Sequence, residues 1–289
     1  ENFQRVPPGN GAFLCKNSWG EVKGDNGVES NGFFWMSYYE QELCDVVAVE
    51  MDRGDVYANM YSYGVAGNGD SIGDRAANLN VFTAKAYGKG TVEKVDGVMV
   101  YLEESTGYKL TLYLEPEIKD GKIIGYKGKS KTFTGTSDYE GFYTIDTSSD
   151  PLYVPNGKKF GIYIEASGLD RVGGDNHAVV NGISYIGASG TQLQDCYDIK
   201  LPAPTLRGLT NKAEGFVSST GVSLSHSSIS ILTGERSQLT GKVAPDNVTA
   251  KGISYISSNP EVATVSESGE VYGKGAGKCL IYVYAADGN

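Results

Sequence analysis

Lys109-Leu110-Thr111-Leu112-Tyr113-Leu114 decides the fold class. Leu110, Leu112 and Leu114 share one face while Thr111 and Tyr113 share the other, the period-two alternation of a strand. Downstream, Asp120-Gly121 stands between two candidate strands and is a strong hairpin signal. Working outward, Val98 to Leu102 and Lys159 to Glu165 are further apolar or β-branched runs bounded by turn residues. Glycine accounts for 39 and tyrosine for 20 of the 289 residues, and helix-forming stretches are scarce. Short strands joined by glycine turns have that composition, so the chain is expected to be mainly β. The regular spacing over 46–204 predicts a β-sandwich of jelly-roll type.

Two other segments flank this one. Residues 217–289 have the size of an immunoglobulin domain, with strands expected at Val222 to Leu224, Ser237 to Val243, Gly252 to Ser257, Val262 to Ser266 and Lys278 to Tyr284. Gly234-Glu235, Ser268-Gly269 and Gly275-Ala276-Gly277 mark its turns, and the unit reads as a smaller Ig-like sandwich. Between the sandwiches, Pro202, Pro204 and a polar run lead us to expect a linker over 205–216. At the front, residues 1–45 hold a short apolar run from Ala12 to Cys15, a glycine-containing loop, and Phe33 to Tyr39, which reads as a buried strand. Two strands joined by a long loop cannot bury their own faces, so this piece needs a partner surface.

Charge and composition remove several function classes. A net charge of −10 repels polyanions, and no basic stripe interleaves with aromatics, so no nucleic-acid partner is expected. No apolar run reaches the ~18–20 residues of a membrane span. The acidity suits a secreted or surface protein. Cys15, Cys44, Cys196 and Cys279 are widely spaced and form no zinc pattern. They read as buried free thiols, with a Cys15–Cys44 disulfide as the alternative. Few disulfides in a secreted protein fit an anaerobic bacterial habitat.

Lys16-Asn17-Ser18-Trp19-Gly20, with Gly11 to Leu14 before it and Asp25-Asn26-Gly27 and Gly32 to Trp35 after it, resembles the C-terminal strands of papain-like cysteine proteases. The resemblance implies that Asn17 orients a catalytic histidine and that Trp19 shields their hydrogen bond from water. An amide oxygen accepting from the imidazole N–H fixes ring orientation and tautomer, and a low dielectric strengthens the bond. Catalysis also needs a thiolate nucleophile paired with a histidine. His177 and His226 are the two histidines, both far downstream, and Cys15 sits on the same presumed strand as Asn17 with no helix N-terminus behind it. The chain alone is therefore expected to be inactive. Its start is expected to fall just after the histidine strand, the missing N-terminal protease part being its partner and proteins the substrates.

The middle segment resembles the lectin-like domain of bacterial surface cysteine proteases through Ala77 to Lys85, Tyr139 to Asp146 and Gly182 to Gly187. The last resembles bacterial group-2 Ig-like domains through Ser258 to Val265 and Gly269 to Gly277. Together these imply the C-terminal region of a secreted or cell-surface protease of a Gram-positive bacterium, its accessory domains serving positioning or contact with wall or host glycans. A non-enzymatic adhesion or carbohydrate-binding module is the alternative.

Candidate sites in the middle segment are of two kinds. Asp70 and Asp74 lie in an acidic, glycine-rich loop, and Asp170 and Asp175 in another; clustered carboxylates on flexible backbone suit a structural calcium ion, while solvated turns have the same composition. Resemblance to other jelly-roll sandwiches adds to the calcium expectation. Tyr57, Tyr61 and Tyr63 recur near period two and could form an aromatic platform for a sugar, or simply pack as strand residues. The lysines between Lys119 and Lys131 read as a solvated hairpin face.

Overall fold

The computed structural model describes residues 7–16, 18, 20–23, 29–40, 57–63, 76–167, 169 and 180–289. The chain divides into two compact units, Glu1–Gly54 and Asp55–Asn289. In the first, β1 (Ala12–Lys16) pairs antiparallel with β4 (Phe33–Ser37), and β2 (Val22–Lys23) pairs with β3 (Glu29–Ser30). The register sets Phe13 opposite Met36, Leu14 opposite Trp35 and Cys15 opposite Phe34. Alternation then sends Leu14 and Trp35 to one face of the ribbon and Phe13 and Phe34 to the other. The strand expected over Phe33 to Tyr39 forms over Phe33–Ser37, but Phe33, Phe34 and Trp35 are exposed where burial was expected. A two-stranded ribbon has no second layer to cover either face.

The second unit begins with a two-sheet sandwich. Its strands are β5 (Asn59–Tyr61), β6 (Ala77–Thr83), β7 (Val92–Leu102), β8 (Gly107–Lys119), β9 (Lys122–Thr136), β10 (Gly141–Asp146), β11 (Leu152–Pro155), β12 (Lys159–Ala166), β13 (Ser184–Gly187), β14 (Leu193–Asp195) and β15 (Leu206–Lys212). One sheet runs β10-β7-β15-β5, with β11 also on β7; the other runs β14-β13-β6-β12-β8-β9. One turn of helix, α1 (Cys196–Ile199), follows β14.

Leu110, Leu112 and Leu114 of β8 all point between the sheets, where they meet Phe160, Ile162 and Ile164 of β12 and Val98, Val100 and Leu102 of β7. Strand β7 changes phase: Glu93 and Val95 face inward ahead of the break, and Val98 and Val100 after it. The cause is an irregular register in which Leu209 faces Gly97 and Thr210 faces Val95, leaving Asp96 as the extra residue of a bulge. The stretch expected as a linker is corrected here. β15 lies between β7 and β5 within the sheet, and Leu206 and Leu209 are buried.

Strand β8 kinks at Glu115, where φ is +44°, and the pairing with β9 shifts register across 112–118. The hairpin tip is Asp120-Gly121, both with φ > 0 as a type I′ turn requires. Gly121 accepts a backbone hydrogen bond from Leu193 N at 2.9 Å, so the hairpin reaches from one edge of the sheet to the other. Beneath it Ile118 and Ile123 cover Leu79, Val81 and Tyr163, a second apolar layer on the sheet's outer face.

The Ig-like portion comprises β16 (Gly221–Leu224), β17 (Arg236–Gln238), β18 (Gly241–Ala244), β19 (Ile253–Ser257), β20 (Ala263–Val265), β21 (Glu270–Gly273) and β22 (Ile281–Ala285). Leu239, Ala263 and Val271 are its buried centre, packed by Tyr255, Ile281 and Val283. Its C-terminal turn docks on β9. Lys129 N donates to Ala286 O at 3.4 Å, and Gly128, with φ +66°, leaves no room for a Cβ, which would lie 2.5 Å from that same carbonyl oxygen. Gly288 has the reciprocal constraint, its absent Cβ falling 2.6 Å from Leu114 Cδ2.

Candidate functional site

Asn17 and Trp19 lie outside the described residues, as do Asp70, Asp74, Asp170 and Asp175. The described neighbours of Asn17 are informative. Lys16 ends β1 opposite Phe33, with its ammonium 6.0 Å from that ring's centroid. Phe13 makes an edge-on contact with Tyr38 at 4.5 Å. Leu14 (55% exposed) and Trp35 (57%) share one face, and Phe13 (48%) and Phe34 (47%) the other. The ribbon thus offers large apolar side chains on both faces. Cys15 is in no disulfide, so the Cys15–Cys44 alternative is not formed; Cys196 is buried, and Cys15 and Cys279 are half-buried. Cys15 Sγ donates weakly to Phe13 O, at 3.9 Å.

The three tyrosines do not form an open platform. Tyr61 points into the sandwich, where its hydroxyl donates to the buried Glu93 carboxylate, 2.8 and 2.9 Å from its two oxygens. Glu93 also accepts from Thr210 Oγ1 at 2.8 Å and Ala86 N at 3.0 Å, so neutral donors surround it. Tyr61 itself accepts from Lys85 N at 2.9 Å. Burial, with Glu93 adding to it against the opposing Lys85 amide, pushes the Tyr61 hydroxyl up to about 12. Tyr63 stacks on Phe82 at 4.5 Å and donates to Val81 O at 2.5 Å, and burial raises it to about 12 as well. The hydroxyl of Tyr57 stands over Gly97, 2.7 Å from where a Cβ would be. Tyr61, the last residue of β5, and Tyr63, two residues beyond it, thus pack against the core, packing being the other role the sequence allowed.

A cleft of about 410 Å³ opens where the β8–β9 tip meets β14 and α1, lined by Asp120, Asn181, Tyr185, Gln194, Asp195 and Asp198 among others. Its polar groups largely satisfy one another: Asp195 accepts from Gly182 N at 2.6 Å and from Tyr197 N at 2.9 Å, capping α1, and Asp198 accepts from Asn181 Nδ2 at 3.4 Å. Burial first, then Asp195 and Asp198, raise the Tyr185 hydroxyl. Among the described residues no group of three or more His, Cys, Asp or Glu side chains is arranged to hold a metal. An exposed aromatic face does exist, but on β7 and β10. Sequence reasoning passed over it because Tyr101, Phe142 and Arg207 are far apart along the chain.

Comparison with known proteins fits this architecture. Residues 60–203 match the family model "Lectin like domain" and residues 218–289 match "Bacterial Ig-like domain (group 2)", so the chain carries both domains. Among solved structures it is similar to the clostridial cysteine protease Cwp84 after propeptide cleavage, with 22% identity and a TM-score of 0.50 over 71% of this chain and 52% of that one. A structure of the cysteine protease and lectin-like domains of Cwp84, a surface layer associated protein of Clostridium difficile, aligns at 23% identity with a TM-score of 0.47, covering 71% of this chain and 47% of that one. At that identity the likeness is one of fold. An "Ig-like virion protein" of Serratia phage KSP90 is 45% identical over 74 residues, which are 25% of this chain and 29% of the phage protein. The chain therefore spans about half the length of the clostridial structures and under a third of the phage protein. No helix among the described residues is long and apolar enough to cross a membrane.

Proposed function

We propose that the chain is the C-terminal region of a bacterial surface papain-like cysteine protease, contributing the histidine-orienting Asn17 and its shield Trp19 to an active site completed by upstream residues. The observation that carries this reading is the β1–β4 ribbon, which bears Lys16-Asn17-Ser18-Trp19-Gly20 at its end and exposes large apolar side chains on both faces. In the completed domain those faces are covered by the rest of the protease. The Asn17 amide oxygen accepts from the imidazole N–H and holds the ring toward the nucleophile, and Trp19 keeps water from that bond. The lectin-like and Ig-like domains position the protease at the cell surface.

The thiol nucleophile and its histidine lie outside this chain on this reading, so the chain alone hydrolyses no peptide. The test is a thiol-directed activity probe applied to the native protein from its producing cells, with the labelled cysteine mapped by mass spectrometry. Labelling of a cysteine other than Cys15, Cys44, Cys196 and Cys279, with peptidase activity whose kcat falls in Asn17→Ala, supports the proposal. Thiol-dependent activity from this chain alone, lost in Cys15→Ala and kept in Asn17→Ala, refutes it.

The phage match favours a second reading for the last domain, that of a display module on a surface or particle without a protease. That reading expects the native protein to have no thiol-dependent turnover.

A further inference from the structure

We infer that the outer face of the β10-β7-β15 sheet is a binding site for an acidic saccharide, a role independent of the protease reading. The pairing register puts Phe142 opposite Tyr101, and both Thr144 and Arg207 opposite Met99, so these side chains share one face across three adjacent strands. Phe142 is 51% exposed. Tyr101 meets it edge-on at 5.3 Å and 84°, and the Arg207 guanidinium carbon lies 5.7 Å from its centroid.

Arg207 is the unusual member. Its Nη1 is 3.4 Å from the sulfur of Met99, a weak acceptor, and its Nε is buried without a hydrogen-bond partner. No carboxylate among the described residues pairs with it, although the protein is strongly acidic. A half-buried guanidinium fork with an unsatisfied donor is a costly arrangement unless an anion completes it. A planar carboxylate matches that fork through two parallel hydrogen bonds.

The groups around the cation select the rest of the ligand. An open aromatic ring offers a platform for the C–H face of a pyranose, and Thr144, on the same face of the sheet, and Glu140, at the start of the same hairpin arm, are exposed polar groups that can meet sugar hydroxyls. Glu140 already accepts from the Tyr101 hydroxyl, which keeps its carboxylate at the rim. The net charge of −10 disfavours a dense polyphosphate, but it opposes a single carboxylate only weakly at physiological ionic strength. A uronate-containing saccharide fits these terms.

The experiment is calorimetric titration of the full chain with an oligogalacturonate and a hyaluronan tetrasaccharide, each beside its carboxyl-reduced neutral form, with tetraglutamate as the peptide control. The proposal expects at least one acidic saccharide to bind, its neutral form to bind about tenfold or more weakly, and Arg207→Gln and Phe142→Ala each to lose about tenfold or more. Phe142→Ala should keep the parent's melting temperature within about 2 °C, since Phe142 is on a solvent face; if it does not fold, Arg207→Gln and Arg207→Lys decide. Absence of binding by both acidic saccharides, equal binding of neutral and acidic forms, equal binding of tetraglutamate, or unchanged affinity in Arg207→Gln would each overturn it.

Discussion

Replacing Gly128 by alanine should release the Ig-like domain from the lectin-like domain. Two effects are separable. The first is backbone strain, since φ is +66° and a non-glycine residue there costs about 1–2 kcal/mol. The second belongs to the interface: the new Cβ would sit 2.5 Å from Ala286 O and 3.1 Å from Gly288 N, both backbone atoms that cannot rotate away. Relief requires the C-terminal turn to withdraw, which breaks the Lys129–Ala286 hydrogen bond and the packing of Gly288 on Leu114. The loss is about 2 kcal/mol, or roughly 30-fold in the docking equilibrium. Gly157→Ala is the control, because φ there is +86° and nothing lies within 4 Å of its Cβ position. The connector over 213–220 reports the difference, since it is tied to both sides: Phe216 packs on Tyr153 at 4.9 Å, and Val217 exchanges hydrogen bonds with Thr249. Proteolysis that samples a rapidly opening state follows its population, so connector cleavage should be roughly 30-fold faster in Gly128→Ala than in Gly157→Ala. Equal cleavage rates in the two variants would refute the reasoning.

Two further outcomes follow from the same structure and one from the sequence. Glu93→Gln places an amide N–H₂ where Tyr61, Thr210 and Ala86 all donate, and should cost about 2–3 kcal/mol in denaturant unfolding, against about 1.5–3 kcal/mol for Tyr61→Phe, which removes one charge-assisted bond. Burial raises the Glu115 carboxyl, but hydrogen bonds from Lys127 and then Lys158 outweigh it and hold the group below its ordinary value. Its stabilisation is therefore complete above the ordinary glutamate value of about 4.3 and is lost as pH falls through the lower folded value. Glu115→Gln should flatten the dependence of melting temperature on pH below about 4.3 and leave its slope near pH 7 unchanged. If the 67–74 or 169–177 loop holds calcium, EDTA should lower the melting temperature and calcium should restore it, with Asp70→Asn or Asp175→Asn abolishing the response; an identical melting curve with and without EDTA removes the ion from the account.

The parts of the fold legible in the sequence were those set by local pattern. Leu110, Leu112 and Leu114 alternate without interruption, and Asp120-Gly121 supplies the φ values its turn needs, so both were readable from a few residues. β15 was not. Pro202, Pro204 and the polar Thr210-Asn211-Lys212 have the composition of a connector, and the strand exists because β7 and β5 pair with it from both sides. The bulge at Asp96 was hidden for a related reason, since a phase change between Val95 and Val98 is visible only once the register with β15 is known. For the tyrosines the period-two spacing was real but silent about which face is covered; Glu93, distant in sequence, makes Tyr61 an interior residue. The exposed counterpart at Tyr101, Phe142 and Arg207 comes from three strands and has no local signature.

The central claim, that Asn17 works within a larger protease, is tested most directly by intact mass and N-terminal sequencing of the native protein from its producing cells. The account predicts a species longer than this chain, or one tightly associated with an upstream fragment that carries the nucleophilic cysteine and the histidine. A native protein that begins at Glu1 and purifies without such a fragment would contradict it, leaving a surface-binding module.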